Sequence, residues 1–321
     1  PKPQTPTPFN FLIINSRFIM EVSVNWDFDV KNKISQKNSK IDALEYVKSL
    51  NQIIFSKNDE IFLLDAVKGI QCKAHPNPHK GSVRIFRLST HYNWLASIGS
   101  DFKLCLFDGS DLSFIRKINL SLSSESQIIL MIFNYNETNI FVVASFEILI
   151  VNVKDESKDV VKIMNKDKEY RAGCVMEQIG VIIVADDSNN LYAIDFETKE
   201  KIFLIQKHVS INKILYFKNQ KVWILFGNNT IGIYELLEDG SLDLSTLEKK
   251  VPFELFDAHE FGLSLIVASG FGNQILIMNN NGSLLKKIDF NQETVLLKHL
   301  MVFKSHQSED ETIFGIGDGI A

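Results

Sequence analysis

Cysteine, proline, tryptophan and long apolar runs are all scarce in this 321-residue chain, and each scarcity removes a class of protein. The three cysteines, Cys72, Cys105 and Cys174, are odd in number, widely spaced and free of any C-x-x-C pair. That excludes a disulfide framework and a zinc knuckle, and reads them as reduced, buried small hydrophobes of an intracellular protein, nuclear, nucleolar or cytoplasmic. No apolar run approaches the roughly 18–20 residues that cross a bilayer as a helix. The longest, such as Ile128–Phe133 and Ile179–Ala185, have the length of strands. An excess of positive charge is missing too: the net charge of −5 argues against a broad nucleic-acid footprint, while leaving room for a local basic patch. Helical periodicity hardly occurs; Ser39–Leu50 is the one candidate, and it fits the surrounding pattern better as a strand. Four of the seven prolines fall in Pro1–Pro8, so residues 1–8 read as an extended linker and 9–321 as a single domain. Phe314–Ala321 resembles a hairpin turn cut short, and the whole reads as a piece of a longer polypeptide.

What the chain has in abundance is short β-type runs punctuated by turn residues. His79-Lys80-Gly81-Ser82 is a turn, Val83–Leu88 a run, His91-Tyr92-Asn93 a turn, and Trp94–Ile98 a second run. Gly99-Ser100-Asp101 is a tight turn, and Lys103–Phe107 a third run closed by Asp108. Runs of this length between Gly/Asn/Asp/Ser clusters signal antiparallel hairpins. Comparable third runs end at Asp29, Asp65, Asp108, Asn152, Asp195, Glu235 and Asn279, spaced by 36, 43, 44, 43, 40 and 44 residues. A period of about 40–45 residues is that of a four-stranded propeller blade. The fold expected is therefore all-β: a seven-bladed β-propeller of four-stranded antiparallel blades. A partial unit at Val295–Phe303 and Glu311–Ile316 leaves eight blades as the alternative, unless that piece combines with the N-terminal residues.

The unit His79–Asp108 resembles a WD repeat, with Phe107-Asp108 where that family often has Trp-Asp. The resemblance implies a structural hydrogen-bond network through His79, Ser97 and Asp101, at best partial because Phe107 has no indole N–H. A narrower resemblance rests on Asn15-Ser-Arg-Phe18, on Lys73-Ala-His75 with His79-Lys-Gly-Ser-Val83, and on Ser113-Phe-Ile-Arg-Lys-Ile118. These are similar, over roughly residues 10–220, to a branch of WD-repeat proteins that acts in assembly of the large ribosomal subunit and is also described as binding p21-activated kinase.

Catalytic chemistry finds no support in the residues. His75 and His79 are separated by Pro76-Asn77-Pro78 and have no third ligand nearby, so no metal site is expected. Gly315-Ile-Gly-Asp-Gly319 lacks the Lys-Ser/Thr of a phosphate loop and reads as turn glycines. Asp186-Asp187 could be a carboxylate pair, but their hairpin position favours solvated or turn-capping acids. The chain reads as a non-enzyme without cofactor, small-molecule substrate or membrane contact. A propeller enzyme with an acid-lined funnel is the outlying alternative, against which Ile128–Ile132 is too apolar. The surface remains. Phe102, Phe146 and Phe271 sit in or beside tight turns, where aromatics are unusual, and are candidate anchors for protein partners. Lys166, Lys168, Arg171, Lys207 and His208 lie in loops expected on the same face and form a candidate basic rim; His91, Tyr92 and Tyr135 are candidates on the opposite face. The function expected is a scaffold subunit of a multiprotein complex, with pre-60S ribosome assembly as its setting. RNA contact within an RNA-processing or RNA-modifying complex is the alternative.

Overall fold

The computed structural model describes residues 8–17, 27–37, 41–57, 59–66, 71–89, 91–134, 138–153, 161–164, 168–176, 180–195, 198, 200–217, 220–237, 242–261, 265–270, 274–289, 295–304 and 311–319. For 8–17, 27–37, 41–42, 71–73, 161–162, 164, 236, 244–247, 295–304 and 311–319 the backbone alone is described. Nearly everything is strand, and every described pairing is antiparallel, as the short alternating runs require.

Six blades are each built from four consecutive strands, a to d in chain order. Blade 1 is β3–β6 (Ile41–Val47, Gln52–Lys57, Glu60–Asp65, Gln71–His75), and blade 2 is β7–β10 (Val83–Leu88, Trp94–Gly99, Lys103–Asp108, Phe114–Asn119). Blade 3 is β11–β14 (Ile128–Phe133, Asn139–Ala144, Glu147–Asn152, Val161–Met164), and blade 4 is β15–β18 (Tyr170–Met176, Val181–Asp186, Asn190–Asp195, Lys201–Gln206). Blade 5 is β19–β22 (Ile211–Tyr216, Lys221–Phe226, Thr230–Leu236, Leu242–Lys250), and blade 6 is β23–β26 (Leu255–Phe261, Leu265–Gly270, Gln274–Asn279, Leu284–Asp289). One further sheet is composite. The chain's first strands, β1 (Pro8–Arg17) and β2 (Asp27–Lys37), pair with its last, β27 (Val295–Lys304) and β28 (Glu311–Gly319), in the order β2-β1-β28-β27.

This corrects the expectation of seven blades, or eight: among the described residues six blades are present, while the C-terminal piece combines with the N-terminal strands in one further sheet, as the sequence left open. The spacing held the reason. Asp65, Asp108, Asn152, Asp195 and Asn279 end the c strands β5, β9, β13, β17 and β25, and Glu235 lies one residue before the end of β21. Asp29 instead lies inside β2, opposite Asn15. The short 36-residue step therefore joined two different kinds of element. Gly315–Gly319 is likewise not a turn: it belongs to β28, paired on one side with β1 and on the other with β27. Two ladders of backbone hydrogen bonds override the local preference of glycine for turns. Ser39–Leu50 contains the strand β3 followed by one 3₁₀ turn, Lys48–Leu50.

The chain divides into two compact units, one of residues 1–83, 109–111 and 256–321, the other of 84–108 and 112–255. The second unit carries blades 2 to 5, and its packing explains the unbroken apolar runs. Ile182 and Val184 point to one side and pack with Phe141, Val143 and Ile148 of blade 3. Ile183 and Ala185 point to the other and pack with Ile211, Ile214, Val222 and Ile224 of blade 5. Side chains alternate across a strand, so a strand covered on both faces must be apolar at every position; all four of these residues are fully buried. At roughly 1.5–3 kcal/mol for each fully buried aliphatic side chain, this four-residue stretch contributes to the cohesion of blades 3, 4 and 5.

The turns are set by a few residues that tolerate left-handed backbone. Asn51, Asn93 and Gln220, with φ of 52°, 53° and 62°, and Gly180 at 69°, each stand immediately before a b strand. Asn and Gly accept this conformation at little cost, which is why the polar clusters fall where the chain reverses.

Candidate interaction surface

Within the second unit, one end of the blades is knitted by a repeated backbone bond. The residue that follows strand d donates its N–H to the last residue of the b–c turn: Leu120 to Phe102 at 3.2 Å, Lys207 to Asn189 at 3.0 Å, and Val251 to Asn229 at 2.9 Å. The three acceptors share left-handed backbone, with φ of 53°, 61° and 59°. Asparagine suits that position because its short polar side chain can hydrogen-bond locally; phenylalanine has nothing to offset the crowding of Cβ against the carbonyl. Phe102 is thus a strained copy of a position that the other two blades fill with asparagine. It is half-buried, as is Phe146 in the b–c turn of blade 3. Phe271 lies outside the described residues.

Asp186 is the best-built group at this end. It is buried, and its Oδ1 accepts the backbone N–H of Ser188 and of Asn190, each at 2.9 Å. Its Oδ2 accepts Asn190 Nδ2 at 2.8 Å and the Tyr192 hydroxyl at 3.2 Å. Burial alone raises a carboxyl pKa, but the hydrogen bonds from Asn190, Ser188 and Tyr192 outweigh it and hold Asp186 below the ordinary aspartate value. It is a turn-capping acid, while Asp187 beside it is exposed. In blade 2 the equivalent turn carries Asp101, ion-paired with Lys117 at 3.0 Å; His79 and Ser97 are buried in the same blade and at its entry.

Two residues of the proposed basic rim lie near carboxylates. Lys168 Nζ lies 3.8 Å from Asp186 Oδ2, and the Arg171 guanidinium 4.0 Å from Glu169 Oε2. Lys166 lies outside the described residues. Lys207 is the better-built member of the rim. Lys207 is clamped by its backbone N–H, and its Nζ sits 2.8 Å from Glu248 Oε1, 5.5 Å from the Tyr234 ring centre and 5.9 Å from that of Phe226. Burial works against its charge, but Glu248 and the Tyr234 hydroxyl more than compensate and hold its pKa above the ordinary lysine value. Gln206, Lys207, His208, Phe226, Asn228 and Glu248 line a cleft of about 300 Å³.

At the opposite end of blade 2, exposed His91 meets Tyr92 edge-on at 5.0 Å, and Tyr92 stacks on Trp94 at 5.1 Å. Tyr135 lies outside the described residues. Sequence reasoning missed the outer strands: Phe114 and Ile115 of β10, and Ile202 and Phe203 of β18, are 53%, 44%, 57% and 55% exposed. The available signal was an apolar pair at the start of a d strand, the edge strand of its blade.

No family model matches this chain, and no curated protein matches it. Solved structures do. The crystal structure of the β-propeller domain of Cps50 (Swd1) from Myceliophteria thermophila superimposes with a TM-score of 0.65, covering 86% of this chain and 98% of that one at 11% identity. The fold is a β-propeller. The WD-type repeat read around His79–Asp108 is consistent with it. Buried Cys105 and Cys174 are free thiols of this propeller, each pushed up to about 12 by burial; the Cys72 side chain lies outside the described residues.

Proposed function

We propose that this propeller is a non-catalytic scaffold that offers the b–c-turn end of its blades to protein partners within a larger intracellular assembly. Phe102 carries the reading: a bulky aromatic held at φ 53° in a turn whose counterparts in blades 4 and 5 use asparagine. Strain of this kind, of order 1–3 kcal/mol, persists where the side chain has a use. Phe146 in the next blade extends the same end with a second half-exposed ring, and paired aromatics are the common anchors of interfaces.

The test is affinity purification of the protein from its own cells, with and without RNase, beside a Phe102→Ala/Phe146→Ala variant of unchanged melting temperature. Loss of the recovered partner set from the variant is the expected result; an unchanged set refutes this face. The sequence resemblance to the ribosome-assembly branch makes large-subunit precursors the first partners to look for, and their absence removes that finer reading. Direct RNA contact is the weaker arm, since Lys168 and Arg171 already face carboxylates.

A further inference from the structure

The position occupied by Lys207 is one that the fold treats as apolar. Leu120, Lys207 and Val251 are equivalent: each follows a d strand and donates its N–H to the left-handed b–c-turn residue. Leu120 and Val251 are buried aliphatic residues, 0% and 9% exposed. Lys207 puts an ammonium in that slot, with its side chain 19% exposed, and needs Glu248 to neutralise it. The two ends of this ion pair are held very differently. Lys207 is fixed by its backbone bond to Asn189 and by the rings of Phe226 and Tyr234. Glu248 is half-exposed on the outer strand β22. Swinging its carboxylate into water costs little, because a half-exposed pair contributes about 0–1 kcal/mol.

We propose that the cleft around Lys207 binds a carboxylate side chain of a protein partner, with Glu248 as the built-in stand-in that the partner displaces. Exposed Gln206, His208 and Asn228 ring the opening and offer amide and imidazole groups to the partner's backbone. Phe226 supplies an apolar wall for the methylenes of an aspartate or glutamate. At about 300 Å³ the cleft is at the bottom of the range for small-molecule sites, which suits one or two side chains rather than a nucleotide cofactor. Lys249 and Lys250, next to Glu248 at the end of β22, add positive charge nearby in a chain of net charge −5. An acidic segment is therefore drawn to this place against the field of the rest of the molecule. The inference rests on the scaffold reading and gives it a partner chemistry.

The experiment uses a fluorescein-labelled hexaglutamate peptide as probe, with fluorescence anisotropy as readout and hexaglutamine as its neutral control. Lys207→Leu should fold with an unchanged melting temperature, since leucine fills the equivalent slot of blade 2, and should weaken binding at least about tenfold. Glu248→Gln removes the internal competitor and should tighten binding by about threefold to fivefold. Equal losses from Lys207→Leu and from the exposed control Lys250→Gln would mean diffuse attraction and overturn the proposal. Weaker or unchanged binding by Glu248→Gln overturns it as well. Partner recovery from cells separates the two readings: if wild type and Lys207→Leu recover the same partners, the scaffold stands and the cleft is not its site.

Discussion

Replacing Asp186 by alanine is expected to cost about 3–4 kcal/mol of stability, and the structure shows where that energy resides. The carboxylate accepts four hydrogen bonds between 2.8 and 3.2 Å. Alanine strips the backbone N–H groups of Ser188 and Asn190 of their acceptor, at roughly 1–3 kcal/mol for each buried orphan, and releases the Asn190 amide and the Tyr192 hydroxyl. With about 2.1 cal/mol/K of unfolding entropy per residue over 321 residues, that loss lowers Tm by about 4–6 °C, read by thermal unfolding followed by circular dichroism. Acid supplies a second, sharper reading. The folded pKa of Asp186 lies below the unperturbed 3.8, so its stabilisation is complete above the unfolded value and is lost as pH falls through the folded one. Asp186→Asn cannot titrate. Its stability deficit relative to wild type should stay level near neutral pH and shrink as the solution is acidified below pH 3.8. A Tm for Asp186→Ala within about 1 °C of wild type, or a gap to Asp186→Asn that persists undiminished in strong acid, refutes the reasoning.

Gly232 stands in the middle of β21 because a Cβ there would lie 2.6 Å from Cε2 of Tyr234. Gly232→Ala should destabilise by about 1–3 kcal/mol in urea unfolding through overpacking, and a variant as stable as wild type would show that the Tyr234 ring is free to move aside. Phe102→Asn should melt no lower than wild type, relief of roughly 1–2 kcal/mol of left-handed strain offsetting the lost ring contacts; a clear drop in Tm would make Phe102 a core residue rather than a partner anchor. Cys105 and Cys174 are buried with thiol pKa values of about 12, so alkylation with iodoacetamide at pH 8, mapped by mass spectrometry, should leave both unmodified until denaturant is added. Modification of either in the native protein contradicts its burial.

Much of the candidate surface was legible as positions but not as contacts. The turn location of Phe102 follows from Gly99-Ser-Asp101 before it, yet its left-handed backbone shows only when the turn is aligned with those of Asn189 and Asn229. Lys168 read as a basic loop residue because Asp186, the acid it faces, ends β16 and gave no sign of that pairing in the sequence. Lys207 stood out least, although the ion pair with Glu248 spans 41 residues of sequence.

The repeat itself was determined by sequence alone: polar residues at or next to the c-strand ends, spaced by 43, 44, 43, 40 and 44 residues, and apolar runs of strand length, are local properties. So was the all-β class, because alternation and turn chemistry act over two to four residues. The number of blades was not, since it depends on whether the chain's ends fold separately or together. Strands β1 and β28 meet across almost the full length of the chain, and no local preference reports on a pairing at that separation. The tertiary structure decided it through backbone hydrogen bonds that any sequence of suitable β-forming residues could make. It decided the surface as well, by bringing carboxylates to Lys168, Arg171 and Lys207 and strain to one phenylalanine.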